Sequence, residues 1–513
     1  MPATVHLSRL TPLSFLERSA TAFPDRLAVV DGDRRLTWSE LRERARRLAV
    51  ALQASGIERG DRVAFLAPNT VELLEAHYGV PGAGAVLVAI NTRLTRDEIA
   101  YILGHCGARM LVVDHTLAHL ADGAALERVI VCGDGGEYEE FLAAAGEGEP
   151  EDRIESEDDT ISINYTSGTT GRPKGVMYTY RGAYLNALSE AAHSRLDSRS
   201  VYLWTLPMFH CHGWAFTWAV TAMGGQHRCL ARFDAGKVWG MLAAGDVSHL
   251  CGAPTVLTML AADPAATRLP HPVRVFVGGA PPSPALLHVV EELGMQVTHL
   301  YGLTETYGPI AVCAWQPAWD ALDAPQRMVM RSRQGVATVV SETLRVVDQD
   351  LTDVPADGET MGEIVMRGNN VALGYYRDEA ATAAAFAGGW FRSGDLGVMH
   401  PDGYVEIRDR AKDMIISGGE NISSIEVEHG LAAHPDVVEV AVVAVPDDVW
   451  GEVPKAYVVV SNGAHLTEED IREYGRTRLA RHKVPKMVEF VDALPKTATG
   501  KVQKHVLRER CAR

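Results

Sequence analysis

The stretch ISINYTSGTTGRPKGV, residues 161–176, runs from an alternating segment into a loop of glycine, hydroxyls and one lysine. Ile161, Ile163 and Tyr165 alternate with Ser162 and Asn164, the period of a strand. Beyond them, Gly168 and Gly171 let backbone amides approach an anion closely. Thr166, Ser167, Thr169 and Thr170 add hydroxyl donors, and Lys174 adds a positive charge. Such a loop suits a polyphosphate. It is not a Walker A loop, which needs Gly-Lys followed by Ser or Thr, because Lys174 stands between Pro173 and Gly175. Residues 175–178 are expected to continue extended before a helix over 182–192.

Outward from this loop, the first half of the chain alternates helix and strand signals. Thr37 with Glu40 and Thr95 with Glu98 form capping boxes, each opening a helix. Gly56 stands where a glycine ends the first of these. Strands are expected at 62–66, 85–90 and 110–113, with a helix over 71–78 between the first two. The pattern predicts an α/β fold of parallel-rich sheets covered by helices and divided into several subdomains. Near residue 409 the texture changes. Residues 414–513 read as a small α+β domain, joined through a hinge at 410–413 to a large N-terminal domain over 1–409. Within the small domain, helices are expected at 424–433 and from Thr467, and strands at 438–445, 456–460 and 488–491.

Bulk properties narrow the class. The chain has 513 residues and a net charge of −17, which argues against a nucleic-acid or membrane-surface binder. Its seven cysteines are scattered without a CxxC pair, so neither a disulfide framework nor a zinc knuckle is expected. No leader-like apolar segment opens the chain, and Cys511-Ala512-Arg513 is not a peroxisomal address, so a cytoplasmic location is expected. Stable membrane insertion is not expected, and a monomer or homodimer is. From Arg472 to Arg513 there are twelve Lys/Arg against four Asp/Glu, a local reversal of charge. It reads either as a solvated face or as a surface turned towards an anion.

YTSGTTGRPKGV resembles the phosphate loop of the adenylate-forming superfamily of acyl-CoA synthetases, luciferases and peptide-synthetase adenylation domains. Six further motifs follow in the family's order: LPMFHCHGW (206–214), VGGAPPS (277–283), YGLTETYG (301–308), GWFRSGDLG (389–397), DGYVEIRDRAKDMIISGGENIS (402–423) and LPKTATGKVQK (494–504). The resemblance covers nearly the whole chain. It implies attack of a carboxylate on the α-phosphorus of ATP, release of pyrophosphate, and transfer of the acyl group to coenzyme A with release of AMP.

The resemblance also implies roles. Glu305 would hold Mg2+, and Thr304 would contact phosphate. Tyr301 and Gly302 would flank the adenine, with Gly278, Gly279 and Ala280 lining the nucleotide and acyl pockets. Asp395 would accept hydrogen bonds from the ribose, aided by Arg410. Lys501 would be the catalytic lysine, with Lys496 the competing candidate. Lys412 would be the hinge, and Gly418 and Gly419 would line the pantetheine channel after the small domain turns. His210 would stand beside the carboxylate, with Trp214 and Tyr307 in the substrate pocket.

The run His210-Cys211-His212 is expected to be extended, its side chains pointing alternately, which disfavours a metal site. Trp214 reads either as a wall of the acyl tunnel or as core, with Trp218 on the same helical side. No cationic residue in the matched pocket motifs would hold a second carboxylate. A short- or medium-chain acid, or a relative such as methylmercaptopropionate or an aryl acid, is the expected substrate. The alternatives are loading of a carrier-protein thiol in trans, a luciferase-like oxygenase and a silent binder.

Overall fold

The computed structural model describes residues 5–123, 126–166, 172–447, 449–461, 463–497 and 500–511. The loop residues Ser167, Gly168, Thr169, Thr170 and Gly171 lie outside them. Among the described residues the strands assemble into four sheets. One has strand Thr160–Tyr165 beside Val86–Ala89, followed by Arg62–Leu66, Ala108–Asp114 and Arg128–Cys132, all parallel. The second runs parallel from Met295–Leu303 through Val273–Val277, His249–Gly252, Val201–Leu203 and Gln226–Arg228 to Leu27–Asp31. Several of these strands, among them Arg62–Leu66, Val86–Ala89 and Val273–Val277, are largely apolar and buried. The third sheet is antiparallel and carries Phe391–Met399 beside Val405–Arg410.

The two capping boxes of the first half are present, at the helices Trp38–Ala54 and Arg96–Cys106. Gly56 has φ +80 just past the first of these, the left-handed conformation that a closing glycine tolerates. Strand Gly175–Thr179 turns back antiparallel onto Thr160–Tyr165, so the two strands flank the segment expected to bind phosphate. The amide of Thr166 donates to the Lys174 carbonyl, pinching its base at 2.9 Å.

Sheet membership changes between Arg410, which ends the third sheet, and Ile415, which begins the fourth. That last sheet centres on the pair Val437–Asp447 and Gly451–Val460, with Met487–Phe490 added parallel. Its core of Ile415, Val427, Leu431, Val442 and Ile471 is separate from those of the large domain. A third capping box, Thr467 with Asp470, opens the helix Glu468–Arg476.

Candidate active site

A single cleft of about 940 Å³ lies between the large sheets and the small domain. Thr166, Lys174, Tyr301–Glu305, Asp395 and Arg410 line it, as do His210, Trp214, Gly278, Gly279 and Ala280. Lys496, Lys501 and Lys504 enter from the small domain. The ordered motifs, spread over more than three hundred residues, thus converge on one cavity.

Asp395 is buried and held on both oxygens. Its Oδ2 accepts the Tyr301 hydroxyl at 2.7 Å, and its Oδ1 pairs with Arg410 Nε at 3.0 Å. Each oxygen keeps a lone pair that can accept a further hydroxyl. Gly302, next to Tyr301, is required because the carbonyl of Gly308 occupies the space of a Cβ. Glu305 accepts the Tyr375 hydroxyl at 2.8 Å, and Lys174 lies 4.8 Å over the Tyr375 ring and 3.9 Å from Asp378. The Thr304 carbonyl accepts the Tyr178 hydroxyl.

Lys501 is sunk between Arg410, Lys412, Asp395 and Asp413. Burial, then the Arg410 charge, push its ammonium down to about 8. Most other cations of the basic segment have acidic partners, among them Lys496 with Glu439, Lys504 with Glu428, Lys483 with Glu426 and Arg508 with Asp413. Among the described residues no carboxylate pairs with Lys501. The charge reversal therefore combines a salt-bridged face with one cleft lysine, Lys501, that has no carboxylate pair among the described residues.

The segment after His210 is not extended. Cys211, His212, Gly213, Trp214 and Ala215 have φ between 47 and 62, one turn of left-handed helix. For the four non-glycine residues this costs about 1–2 kcal/mol each. Only tertiary contacts can offset that cost, which is why the local sequence reads as a strand. Asn164 Nδ2 donates to the Phe209 carbonyl, and Asn69 brackets the segment through Trp204, Leu206 and Met208. Gly213 is fitted against Trp204, where a Cβ would clash. The turn aims Trp214 into the cleft, against Gly278, whose Cβ would lie 2.9 Å from the indole, and against Gly308. Trp218, by contrast, lies in the helix Phe216–Met223, is fully buried and stays in the core. The two tryptophans are therefore not on one helical side.

One further expectation changes. Tyr307 does not line the cleft: at φ +58 it turns inward, 1% exposed, and stacks on Tyr178 at 3.7 Å. Gly418 and Gly419 are exposed in this arrangement of the small domain, Gly418 under the Trp450 ring, while Lys412 lines the cleft. Tyr375, Asp378 and Asn69 went unnoticed in the sequence. Tyr375 stands 70 positions from Glu305, and no local spacing joins them.

A family model for AMP-binding enzymes matches residues 16–376, and one for the AMP-binding enzyme C-terminal domain matches 426–501. The chain belongs to the AMP-binding enzyme family. It is 46% identical to the acetate–CoA ligase of Humulus lupulus, over 97% of this chain and 94% of that one. With the peroxisomal acetate/butyrate–CoA ligase of Arabidopsis thaliana it shares 44%, again over 97% and 94%. The crystal structure of ATP-bound MatB from Rhodopseudomonas palustris superposes with a TM-score of 0.86, at 32% identity, over 97% of this chain and 98% of that one.

Proposed function

We propose that this AMP-binding enzyme is an ATP-dependent acyl-CoA synthetase acting on a short- or medium-chain carboxylic acid. The observation that carries the substrate class is the Trp214 indole, which packs against Gly278 and Gly308 in the lining of the cleft and takes up space there. The acetate and acetate/butyrate ligases among its relatives support the same choice. Among the described residues no helix is long and apolar enough to cross a membrane. A cytoplasmic location is proposed because the seven cysteines are all free, which suits a reducing compartment.

The reaction joins two anions. An oxygen of the acid attacks the α-phosphorus, the bond to the bridging oxygen breaks, and pyrophosphate leaves with the electron pair. Lys501 sits where a fixed positive charge can offset both anions in the transition state. Lys174 and the hydroxyls of the loop hold the outer phosphates. Asp395, already pinned by Tyr301 and Arg410, orients the ribose without reorganising. His210 stands beside the acid in neutral form, since burial and the nearby Lys501 charge push it down to about 4. In the second step the thiol attacks the acyl carbon and AMP leaves.

Glu305 is the residue that would hold Mg2+. Among the described residues there is no cluster of three ligating side chains. A half-buried carboxylate in the cleft still fits, because magnesium takes most of its ligands from phosphate and water. When bound, the ion neutralises phosphate charge.

A basic hinge at Lys412 would let the small domain exchange Lys501 for Gly418 and Gly419 between the steps. Pyrophosphate release over a panel of acids, followed by thioester formation on adding coenzyme A, tests the reading. A release of pyrophosphate with no thioester would instead favour the carrier-loading alternative.

A further inference from the structure

Behind the left-handed turn lies a buried chain of hydrogen bonds that the reaction does not use. His212 Nδ1 faces His77 Nε2 at 2.8 Å, and His212 Nε2 faces Ser162 Oγ at 2.7 Å. His77 Nδ1 lies 2.6 Å from the Leu73 carbonyl. A carbonyl only accepts, so His77 donates through Nδ1 and its Nε2 must be the acceptor. His212 then donates through Nδ1, its Nε2 accepts, and Ser162 supplies the last proton. Both rings are kept neutral by burial, which pushes His77 down to about 4 and His212 well below its ordinary value. The direction of every bond is therefore determined, and the chain has no slack.

The groups around His212 are otherwise aromatic: the rings of Tyr178, Trp218 and Tyr307 stand 5.1–6.0 Å away. Of the eight non-glycine residues with positive φ among those described, four belong to this turn. Within the turn, His212 is the side chain tied at both ends, to the helix Val71–Gly82 on one side and to strand Thr160–Tyr165 on the other. Its carbonyl also accepts the Thr217 hydroxyl at 3.1 Å. Without these ties the strained backbone has an easier route to an ordinary conformation, and Trp214 loses its aim.

We propose that His212 is a specificity-determining positioning residue: clamped between His77 and Ser162, it holds the left-handed turn that sets Trp214 as the end wall of the acyl pocket. This rests on the reading that the Trp214 end takes the acyl chain. His212 touches no substrate. It acts through the turn, two residues before the indole. Because Ser162 lies on the strand that feeds the phosphate loop, the acyl wall and the loop are anchored to the same element.

The test is pyrophosphate release by full-length Ser162→Ala, His212→Gln, Ser162→Thr and Trp214→Ala over straight-chain acids from acetate to octanoate. Thermal unfolding and the KM for ATP serve as controls for folding. In Ser162→Ala and His212→Gln the kcat/KM ratio of octanoate to acetate is expected to rise about tenfold, as when a pocket wall is moved. The KM for ATP should stay at the parent value. Ser162→Thr keeps a hydroxyl and should return towards the parent ratio. If Trp214→Ala leaves the ratio unchanged, the reading of the acyl end fails. If Trp214→Ala shifts the ratio but Ser162→Ala and His212→Gln do not, the positioning role is overturned. Equal loss on every acid in the relay variants would also overturn it, leaving a purely structural role.

Discussion

The two ends of the cleft are built in opposite ways. The end proposed to take the acyl chain belongs to the large domain alone: Trp214, Gly278 and Gly308 meet over a strained turn whose side chains are buried and neutral. The nucleotide end is shared. Asp395 and Arg410 come from the third sheet, while Lys501 is carried in by the small domain and buried as a cation. Permanent burial suits a wall, which must stay put to measure a substrate. A docked lysine suits a group proposed to act in one step only, because its desolvation would be undone by the proposed turn of the small domain.

Breaking the docked contact should have the largest effect. Lys501→Ala is expected to slow acyl-AMP formation by about a hundred- to a thousandfold. Thioester formation from supplied acyl-AMP should be spared. Equal loss of both half-reactions, measured separately, would contradict the division between the two ends. Next, Asp395→Asn removes the charge that Tyr301 and Arg410 position and should raise the KM for ATP about thirtyfold. The KM for the acid should not move; if it does, the two ends are not independent.

A smaller effect is expected at Tyr375, whose hydroxyl holds Glu305. Tyr375→Phe should raise the magnesium concentration needed for half-maximal pyrophosphate release about tenfold. A magnesium dependence identical to the parent would remove Tyr375 from the site.

The gentlest probe is pH. Lys501 works as a cation, and its ammonium lies at about 8, so adenylation measured as kcat/KM should fall as pH rises through that value. The acyl end should add no limb near neutrality, because His210 stays neutral until pH approaches about 4. For stability the sign reverses. Above about 8 the folded lysine releases its proton while the unfolded one keeps it, so this group favours folding more as pH rises.

Much of this was legible in the sequence because the signals are local. Capping boxes at Thr37, Thr95 and Thr467 mark helix starts through contacts three residues apart. The alternation at 161–165 marks a strand through its period, and the order of the motifs marks the family. Even the change of texture near 409 coincides with a change of sheet.

What only the tertiary structure decided are the features whose energy comes from distant partners. Residues 211–215 carry no local preference for a left-handed turn, which is unfavourable for all but Gly213; the turn exists because His77 and Ser162 reach it from other elements, while Asn164 and Asn69 hold the residues just before it. Tyr307 faces inward because Tyr178 offers a ring to stack on. The lowered proton affinity of Lys501 likewise exists only where two domains exclude water around it. Local periodicity and capping determined which elements form. Burial and long-range hydrogen bonds determined where the pocket ends and what charge stands in it.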